Sequence, residues 1–468
     1  METLEPNAAA HDVSRIDTIV AISTPPGRGG IGIVRLSGPE SAAIAVQLVN
    51  LHRPLEHAHA GLADVLDSPD VSAEPIDKAV VTFFSAPNSY TSDDLVEIAA
   101  HGSPVVLDLL LRRSLYLGAR LAEPGEFTQR AFLSGKLDLT QAEAVRDLIE
   151  AQTLTQARQA ASQMGGALSR RVQPVKQALV ELIALLEAGI DFAEDDVDVT
   201  PQTEIARRIE ELVAPLSALE ASFARGRVVH DGLTLAIVGR PNAGKSSLFN
   251  CLVERDRAIV TATPGTTRDL VTERIAIGGI PIELVDTAGL RDTHEEIEKL
   301  GIARSREALA DASLVIAVLD ATQHINDEER ALLSAIEGRP AVVVVNKWDL
   351  APHKSSPFDA QSVRPPQLLH TSALTGEGIE ALRERIVGIA TGGAAAEPGL
   401  LTSVRHQQAM ATALSALQEA AQANRNDIPH EMILIDLYRA LWALDSLTGQ
   451  TTPDDILHLI FATFCIGK

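Results

Sequence analysis

The residues from Gly239 to Ser247 have the types and the spacing of a phosphate-binding loop. They read Gly-Arg-Pro-Asn-Ala-Gly-Lys-Ser-Ser and fit the pattern G-x-x-x-x-G-K-[ST] without a mismatch. The two glycines let backbone amides turn toward phosphate oxygens, Lys245 neutralises the charge of the β- and γ-phosphates, and the hydroxyl of Ser246 is a ligand for Mg²⁺. A predicted buried strand precedes the loop and a predicted helix follows it, which is the order that phosphate binding requires.

Three downstream segments predict that the bound nucleotide is GTP. Residues 286–289, Asp-Thr-Ala-Gly, follow an apolar run, so the aspartate is expected at a strand end near magnesium and the glycine near the γ-phosphate. Residues 346–349, Asn-Lys-Trp-Asp, follow the predicted strand 341–345. The carboxylate of Asp349 accepts hydrogen bonds from the N1–H and the exocyclic amine of guanine, which adenine lacks in that position. Residues 372–374, Ser-Ala-Leu, are expected to close over the base.

Residues 261–269, Thr-Ala-Thr-Pro-Gly-Thr-Thr-Arg-Asp, have the character of a switch loop. Its Thr267 is expected to complete the magnesium shell begun by Ser246. We therefore predict that the following residues bind GTP: Asn242, Ala243, Gly244, Lys245, Ser246, Ser247, Thr261, Ala262, Thr263, Pro264, Gly265, Thr266, Thr267, Asp286, Thr287, Ala288, Gly289, Asn346, Lys347, Asp349, Ser372, Ala373 and Leu374.

The group that orients the attacking water is not the usual one. Leu290 stands where Ras-type GTPases have a glutamine, and leucine cannot hold a water molecule. Catalysis must therefore recruit another polar group, and Glu295, Glu296 and Glu298 lie just beyond. At least two of these three glutamates fit a simpler interpretation as a solvated charged turn.

Length and composition indicate a multidomain globular protein. The chain has 468 residues, of which 46% are hydrophobic and 22% are charged. No run is long enough to span a membrane, and the N-terminal residues 1–14 lack a signal-like apolar core. Two cysteines, Cys251 and Cys465, form neither a disulfide framework nor a metal-ligand cluster. We therefore expect a cytoplasmic protein that has no membrane partner.

The net charge of −23 argues against nonspecific binding of nucleic acid through a basic surface. An RNA substrate remains compatible with it, because an acidic protein can reach RNA through a local patch or through a basic partner subunit.

The N-terminal part is predicted to be mixed α/β. Strands are expected at 18–22, 31–36, 79–84 and 95–100, and helices at 39–48 and 104–117, with the stretch 51–74 unassigned. Arg35 and Glu97 fall inside predicted strands among apolar neighbours. They are binding candidates if they are buried or face a cleft, although charged strand residues most often lie on a solvated face.

Helical composition flanks the nucleotide-binding segment on both sides. Helices are expected from 140 to 192 with a break at 165–166, from 203 to 226, from 403 to 423, from 430 to 447, and after 452. One helical domain with an inserted nucleotide-binding unit explains this order. The predicted fold has an α+β N-terminal domain (1–138), an all-α helical domain (139–231 plus 394–468), and an inserted α/β P-loop GTPase domain (232–393).

The C-terminal residues 461–468 are an apolar run that ends in Cys-Ile-Gly-Lys, and an apolar terminus must be buried somewhere. Within it, Cys465 fits a packed small hydrophobe as well as it fits a reactive thiol.

Four segments outside the GTPase core carry a resemblance to a known family. They are Pro-Pro-Gly-Arg-Gly-Gly at 25–30, Pro-Gly-Glu-Phe at 124–127, Lys-Leu-Asp-Leu at 136–139 and Phe-Cys-Ile-Gly-Lys at 464–468. With them, the chain resembles the MnmE (TrmE) family of tRNA modification GTPases over essentially its whole length.

The resemblance implies a homodimer and a potassium-dependent GTP hydrolase. Its N-terminal domain would serve dimerisation and bind 5,10-methylenetetrahydrofolate, with 5-formyltetrahydrofolate as an analogue. Together with the flavoprotein MnmG, in a heterotetramer, it would add a carboxymethylaminomethyl or aminomethyl group to C5 of the wobble uridine, position 34, of certain tRNAs.

The resemblance also implies roles for individual residues. Glu298 would position the attacking water, and Cys465 would serve the modification chemistry. Pairing of two GTPase domains would complete the water and potassium sites. The potassium ligands would be Asn242, Thr261, Thr263 and Thr266, and the magnesium ligands Ser246 and Thr267. The folate contacts would be Arg35, Glu97, Lys136 and Lys468, where cations suit the glutamate tail and a carboxylate suits the pterin donors.

Two other functions fit the sequence less well. A GTPase switch in ribosome assembly needs neither a folate-like N-terminal domain nor a tail that carries Cys465, and it would be expected to have a basic RNA-binding domain. A membrane-recruited GTPase would need an amphipathic basic helix or a lipidation site, and the sequence has neither.

Overall fold

The structure is a computed structural model that describes residues 17–68, 74–191, 200–256, 272–286, 312–351, 368–393, 401–450 and 460–467. These residues form two compact units. One comes from residues 1–146 and 448–468, and the other from residues 147–447.

The first unit is built on a seven-stranded sheet in the order β3-β4-β5-β6-β2-β1-β7. Its pairs are antiparallel except for β1 with β7. Its strands are β1 Ile19–Ile22, β2 Gly29–Ser37, β3 Val49–Leu51, β4 His59–Val65, β5 Asp77–Phe84, β6 Leu95–Gly102 and β7 Arg120–Leu121.

Two helices cover one face of this sheet, α1 (Ser41–Leu48) and α2 (Pro104–Tyr116). Their buried residues pack with Val34, Leu36 and other alternate strand residues in one core. The alternation leaves Arg35 on the opposite face. There Phe127 of α3 (Glu126–Leu133) packs with Ile19 and Ala21 of β1. The chain thus brings α3 and Arg35 to the same side of the sheet.

The last residues of the chain pack in this first unit. Phe461 and Phe464 share a core with Leu139 and Ala142 of α4 (Leu139–Glu150). The sequence-based domain boundaries placed 394–468 in the helical domain, whereas the structure groups residues 448–468 with the N-terminal residues. The physical reason is the apolar surface of Phe461 and Phe464, which these contacts bury.

Three strands of the first unit, β3, β4 and β7, were missed by the sequence analysis, and β3 and β7 have only three and two residues. β4 occupies part of the unassigned stretch 51–74, and it is mostly exposed at its beginning. Its sequence, His-Ala-Gly-Leu-Ala-Asp-Val, lacks a clear apolar alternation, and pairing with β5 along its whole length forms the strand. The other N-terminal strands and helices differ from the prediction by about two residues at their ends.

The second unit contains a helical part. Its helices are α5 Leu154–Met164, α6 Ala167–Asp191, α7 Gln202–Ala221, α8 Phe223–Asp231, α12 Val404–Arg425 and α13 His430–Thr448. Leucines at helical spacing on α6 pack against α7, α12 and α13 in a single core. The break predicted at 165–166 is present. The structure adds breaks at Thr153 and Ser222, and the first part of the segment after residue 452, where a helix is expected, lies outside the described residues.

The rest of the second unit is a six-stranded sheet in the order β13-β12-β11-β8-β10-β9, parallel except for the edge strand β9. Its strands are β8 Leu233–Val238, β9 Thr272–Ile277, β10 Ile280–Asp286, β11 Leu314–Asp320, β12 Ala341–Asn346 and β13 Leu368–His370; its helices are α9 Lys245–Asp256, α10 Asp327–Ala335 and α11 Ile379–Ala390. Strand β8 lies between β11 and β10. The carboxyl ends of the parallel strands meet at one edge, where ligands bind in open α/β sheets.

Candidate functional site

The predicted phosphate-binding loop follows β8 and is closely approached by its neighbours. Gly239 has φ of 151°, and a Cβ there would lie 2.3 Å from the carbonyl oxygen of Val318. Gly244 has φ of 95°, and a Cβ there would lie 2.2 Å from Nδ2 of Asn346. Both positions therefore require glycine, as the sequence pattern indicates.

The loop runs directly into the first turn of α9. Leu248 N–H donates to the carbonyl of Gly244 at 2.9 Å, and the hydroxyls of Ser246 and Ser247 are on exposed residues of this turn. Lys245 Nζ donates to the carbonyl of Arg240 at 2.9 Å. A cation, hydroxyls and the positive end of a helix therefore meet here, and together they favour a bound anion.

Asn346 at the end of β12 ties two predicted nucleotide segments together. Its side chain is 1% exposed, and its Nδ2 donates to the carbonyl of Ala243 at 3.1 Å. Its Oδ1 accepts from Ala373 N–H at 3.1 Å and from the hydroxyl of Thr371 at 3.3 Å. The sequence analysis predicted only that Asn346 binds GTP. The structure shows that its amide holds the phosphate loop against the loop at 372–374.

Lys347 is held by an acid that the sequence analysis missed. Its Nζ lies 2.8 Å from Oδ2 of Asp320, the buried last residue of β11. Burial by itself would raise the pKa of Asp320, but hydrogen bonds from Lys347 and Thr322 outweigh it and hold the pKa below its ordinary value. The sequence does contain a signal for Asp320, an aspartate at the end of an apolar strand, and the same signal identified Asp286.

The two groups expected at the base are exposed. Asp349 is exposed, and Leu374 is 85% exposed, the most exposed residue of the loop 372–374. Trp348, the residue before Asp349, is buried, and its ring stacks on His370 at 3.7 Å between centroids. The carboxylate of Asp349 is thus presented to solvent, where a ligand can reach it.

Asp286 is the last residue of β10 and is paired in register with Ile237 of β8, one residue before the end of that strand. This places it at the same sheet edge as the phosphate-binding loop. The remaining predicted residues of the nucleotide site lie outside the described residues: Thr261, Ala262, Thr263, Pro264, Gly265, Thr266, Thr267, Thr287, Ala288, Gly289 and Glu298.

A second polar site lies on the sheet of the first unit. Arg35 and Glu97 are cross-strand partners on β2 and β6, and Nε and Nη2 of Arg35 donate to Oε1 of Glu97 at 2.9 and 2.7 Å. The guanidinium also lies over the ring of Phe127, 5.6 Å from its centroid. Side-chain exposures of 16% for Arg35 and 27% for Glu97 leave both accessible from one side.

The C-terminal tail reaches this second site. The carbonyl of Gly467 accepts from Nη1 of Arg35 at 3.2 Å and from the hydroxyl of Ser23 at 3.0 Å. Cys465 is exposed, and its carbonyl accepts from Gly125 N–H at 3.3 Å. The structure therefore brings the tail that carries Cys465 to Arg35. Phe127, Ser23 and Gly467 were not among the predicted site residues.

Lys136 contacts the loop that contains Ser89, whereas Arg35 contacts Glu97 and the tail. Its Nζ donates to the carbonyl of Ser89, and Lys468 lies outside the described residues. Next to Ser89, the hydroxyl of Tyr90 lies 3.0 Å from the hydroxyl of Thr128, and burial raises the pKa of Tyr90. The lysine thus borders the site through the loop 89–90 rather than through a direct contact with Arg35 or Glu97 among the described hydrogen bonds.

Comparisons with known proteins decide the family. Two family models match, "GTP-binding protein TrmE N-terminus" at residues 18–136 and "MnmE helical domain" at residues 139–465. The tRNA modification GTPase MnmE of Koribacter versatilis is 57% identical over 97% of this chain and 99% of its own length. The chain belongs to the MnmE family of tRNA modification GTPases.

Other MnmE relatives match over the same span. MnmE of Aquifex aeolicus is 39% identical over 97% of this chain and 100% of its own length. Among solved structures, the G domain of the FeoB iron transporter of T. maritima is 29% identical, covers 34% of this chain and 98% of its own length, and has a TM-score of 0.26.

MnmE membership makes the chain a GTP-binding GTP hydrolase, an enzyme acting on acid anhydrides, that takes part in tRNA modification. The predicted fold class is confirmed: an α+β N-terminal domain, an all-α helical domain and an inserted α/β P-loop GTPase domain. Among the described helices, none combines the length and the apolar composition needed to cross a lipid bilayer.

Proposed function

We propose that this chain is a potassium-dependent GTPase that acts with the flavoprotein MnmG on the wobble uridine of certain tRNAs. It adds a carboxymethylaminomethyl or aminomethyl group to C5 of uridine 34, with a tetrahydrofolate one-carbon donor. The observation that carries the proposal is the Arg35–Glu97 pair with the Cys465-bearing tail beside it, in the N-terminal domain of an MnmE family member.

The described part of the nucleotide site fits Mg²⁺ and K⁺. Ser246 is exposed in the first turn of α9, and its hydroxyl would be a ligand for a magnesium ion bound with the phosphates. Asn242 has φ of 61° and an exposed side chain, so its amide oxygen is accessible to a cation at the edge of the loop. We assign the other magnesium ligand to Thr267 and the other potassium ligands to Thr261, Thr263 and Thr266.

Potassium and a glutamate take the place of the usual catalytic side chains in this proposal. A monovalent cation supplies positive charge to the phosphates as an arginine finger does elsewhere. Leu290 cannot orient water, and we assign that task to Glu298.

The second site fits a folate. A reduced folate has a pterin with hydrogen-bond donors and a glutamate tail with carboxylates, and it needs an acid and cations to bind both ends. Glu97 supplies the acid, and Arg35, Lys136 and Lys468 supply the cations. Phe127 beneath Arg35 holds the guanidinium in place. Cys465 is exposed near this site and is assigned to the modification chemistry.

The proposed assembly is a cytoplasmic homodimer that forms a heterotetramer with MnmG. We assign tetrahydrofolate binding and dimerisation to residues 1–138, the helical domain to 139–231 with 394–468, of which residues 448–468 group with the first unit, and the GTPase domain to 232–393. Support comes from the MnmE family models, which divide the chain at residues 136 and 139.

The potassium assignment is tested by the Asn242→Ala variant. We expect potassium stimulation of GTP hydrolysis to disappear while GDP affinity changes by less than about threefold, because the amide reaches the cation and not the phosphate loop backbone. Asn250→Ala, an exposed asparagine on α9, is the control and should keep full stimulation. Normal potassium stimulation in Asn242→Ala would contradict the assignment.

The folate assignment is tested by titrating 5-formyltetrahydrofolate and following the heat of binding. Arg35→Ala should weaken binding at least about tenfold, because it removes a charge-assisted contact of about 1.5–3 kcal/mol. Arg53→Ala, an exposed arginine in the same unit, should bind as the wild type does. Equal affinity of the Arg35→Ala and Arg53→Ala variants would reject the folate site.

A further inference from the structure

The corner between α4 and α5, residues 150–156, is held by a reciprocal set of capping hydrogen bonds. Thr153 caps α5, and its hydroxyl accepts from Gln156 N–H at 3.1 Å. The side-chain oxygen of Gln156 accepts in return from the N–H groups of Thr153 and Gln152, at 3.0 and 2.7 Å. This reciprocal capping box fixes both side chains in one orientation.

Each capping side chain also binds a main-chain carbonyl, one in the nucleotide-binding part and one in the helix that leads into it. The hydroxyl of Thr153 donates to the carbonyl of Gly279, in the turn between β9 and β10, at 2.8 Å. Nε2 of Gln156 donates to the carbonyl of His230, in the last turn of α8, at 2.7 Å. The corner therefore holds two separate elements by their backbones.

His230 adds a charged contact to the same corner. Its Nε2 lies 3.2 Å from Oδ1 of Asp147 on α4, and its Nδ1 lies 2.7 Å from Oδ1 of Asp231. Asp231 is also paired with Arg227, and Glu150 lines a cavity of about 140 Å³ beside the imidazole. The hydrogen bond to Asp147, opposed by burial and helped by Asp231, raises the pKa of His230 to about 9. The imidazole is therefore charged at neutral pH and links α4 to α8.

The held elements lead directly to the nucleotide site. β10 runs from this turn to Asp286, beside the end of β8, and β9 begins at Thr272, just after the predicted switch loop. α8 continues through Gly232 into β8, which ends at the phosphate-binding loop. The corner thus binds the turn that precedes β10 and the end of α8. The segments that follow, β10 and β8, both end at the predicted nucleotide site.

We propose that the α4–α5 corner couples the nucleotide state of the GTPase domain to the helical domain, with Thr153, Gln156 and His230 as positioning residues. A shift of β10 or of α8 that accompanies GTP binding either moves the corner with it or breaks one of these three contacts. The coupling itself rests on GTP binding, and only its consequence for tRNA modification rests on the proposed function.

The test is hydrogen–deuterium exchange of the full-length protein, bound to GDP or to guanosine 5′-[β,γ-imido]triphosphate. In the wild type we expect exchange within residues 152–163 to differ between the two nucleotides by about threefold or more. Gln156→Glu keeps the acceptor oxygens of the capping box and removes the donor to His230, so the difference should fall below about 1.5-fold. Thr153→Ser keeps the hydroxyl and should retain the wild-type difference.

A second variant keeps the test decisive if Gln156→Glu unfolds. Asp147→Asn removes the partner charge of His230 and leaves the capping box intact, and it should also reduce the nucleotide-dependent difference. After correction for intrinsic exchange, the wild-type difference should decline as pH rises through about 9, and in Asp147→Asn the decline should come at lower pH.

Two results would overturn the coupling: equal exchange with both nucleotides in the wild type, or an unchanged difference in both Gln156→Glu and Asp147→Asn. A wild-type protein that shows the exchange difference but restores no modified uridine would leave the coupling standing and reject the proposed function. The two failures are therefore distinguishable.

Discussion

Replacing Asn346 by alanine tests how the nucleotide site is assembled. The change removes three hydrogen bonds, to Ala243, Thr371 and Ala373. Each is worth about 1 kcal/mol, and the loss is larger where a buried group is left without its partner, so we expect a total of about 3 kcal/mol. If this cost falls on the bound conformation of the loops, GDP affinity drops about 100-fold.

The assay is a titration of the purified variant with a fluorescent GDP analogue, combined with urea unfolding of the nucleotide-free protein. The part of this cost that falls on the bound conformation should weaken GDP binding, and the remainder should lower the free energy of unfolding of the nucleotide-free protein, because the amide joins two loops of the folded protein. Thr371→Val is the matched control. It removes only the longest of the three bonds and keeps the side-chain volume, so it should lower affinity by less than about tenfold.

The reasoning fails if Asn346→Ala binds GDP within about threefold of the wild type. It also fails if Thr371→Val binds GDP as weakly as Asn346→Ala does, because the bonds to Ala243 and Ala373 would then contribute nothing to GDP affinity.

Three further outcomes follow from the structure. Gly244→Ala should abolish nucleotide binding in a fluorescent-GDP titration, because the new Cβ would lie 2.2 Å from Nδ2 of Asn346 at a φ of 95°. Asp349→Asn should lower GTP hydrolysis at least about 100-fold and raise activity with xanthosine triphosphate, because an amide matches the base that has an oxygen in place of the exocyclic amine. His230 has its folded pKa raised to about 9 from 6.5, so its stabilising contribution is complete below about pH 6.5 and disappears as pH rises through 9. The difference in free energy of unfolding between the wild type and His230→Gln should accordingly shrink from pH 7 to pH 10 in urea titrations.

The parts of the fold that follow from local sequence were predictable. The phosphate-binding loop, the strand before it and the break at residues 165–166 depend on neighbouring residues, and each is present. β4 was missed because its apolar pattern is weak and its strand exists through pairing with β5. The break at Thr153 had a local signal, a threonine followed three residues later by Gln156, which is a capping box.

The parts of the site that depend on tertiary contacts were not predictable. Asn346 lies 103 residues from Ala243 in sequence, and no periodicity links the two. The hydrogen bond between Arg35 and the carbonyl of Gly467 joins residues that are 432 apart in sequence. It depends on how the phenylalanines of the tail are buried. Residue types indicated which side chains bind ligands, but only the folded chain shows which of them hold each other in place.

The most direct test of the central claim is mass spectrometry of nucleosides from tRNA of the source organism. The gene is deleted, then restored as the wild type or as Gly244→Ala. The account predicts that an aminomethyl-type substituent at C5 of the wobble uridine disappears on deletion, returns with the wild type and stays absent with Gly244→Ala. Unchanged wobble uridines in the deletion strain would contradict it.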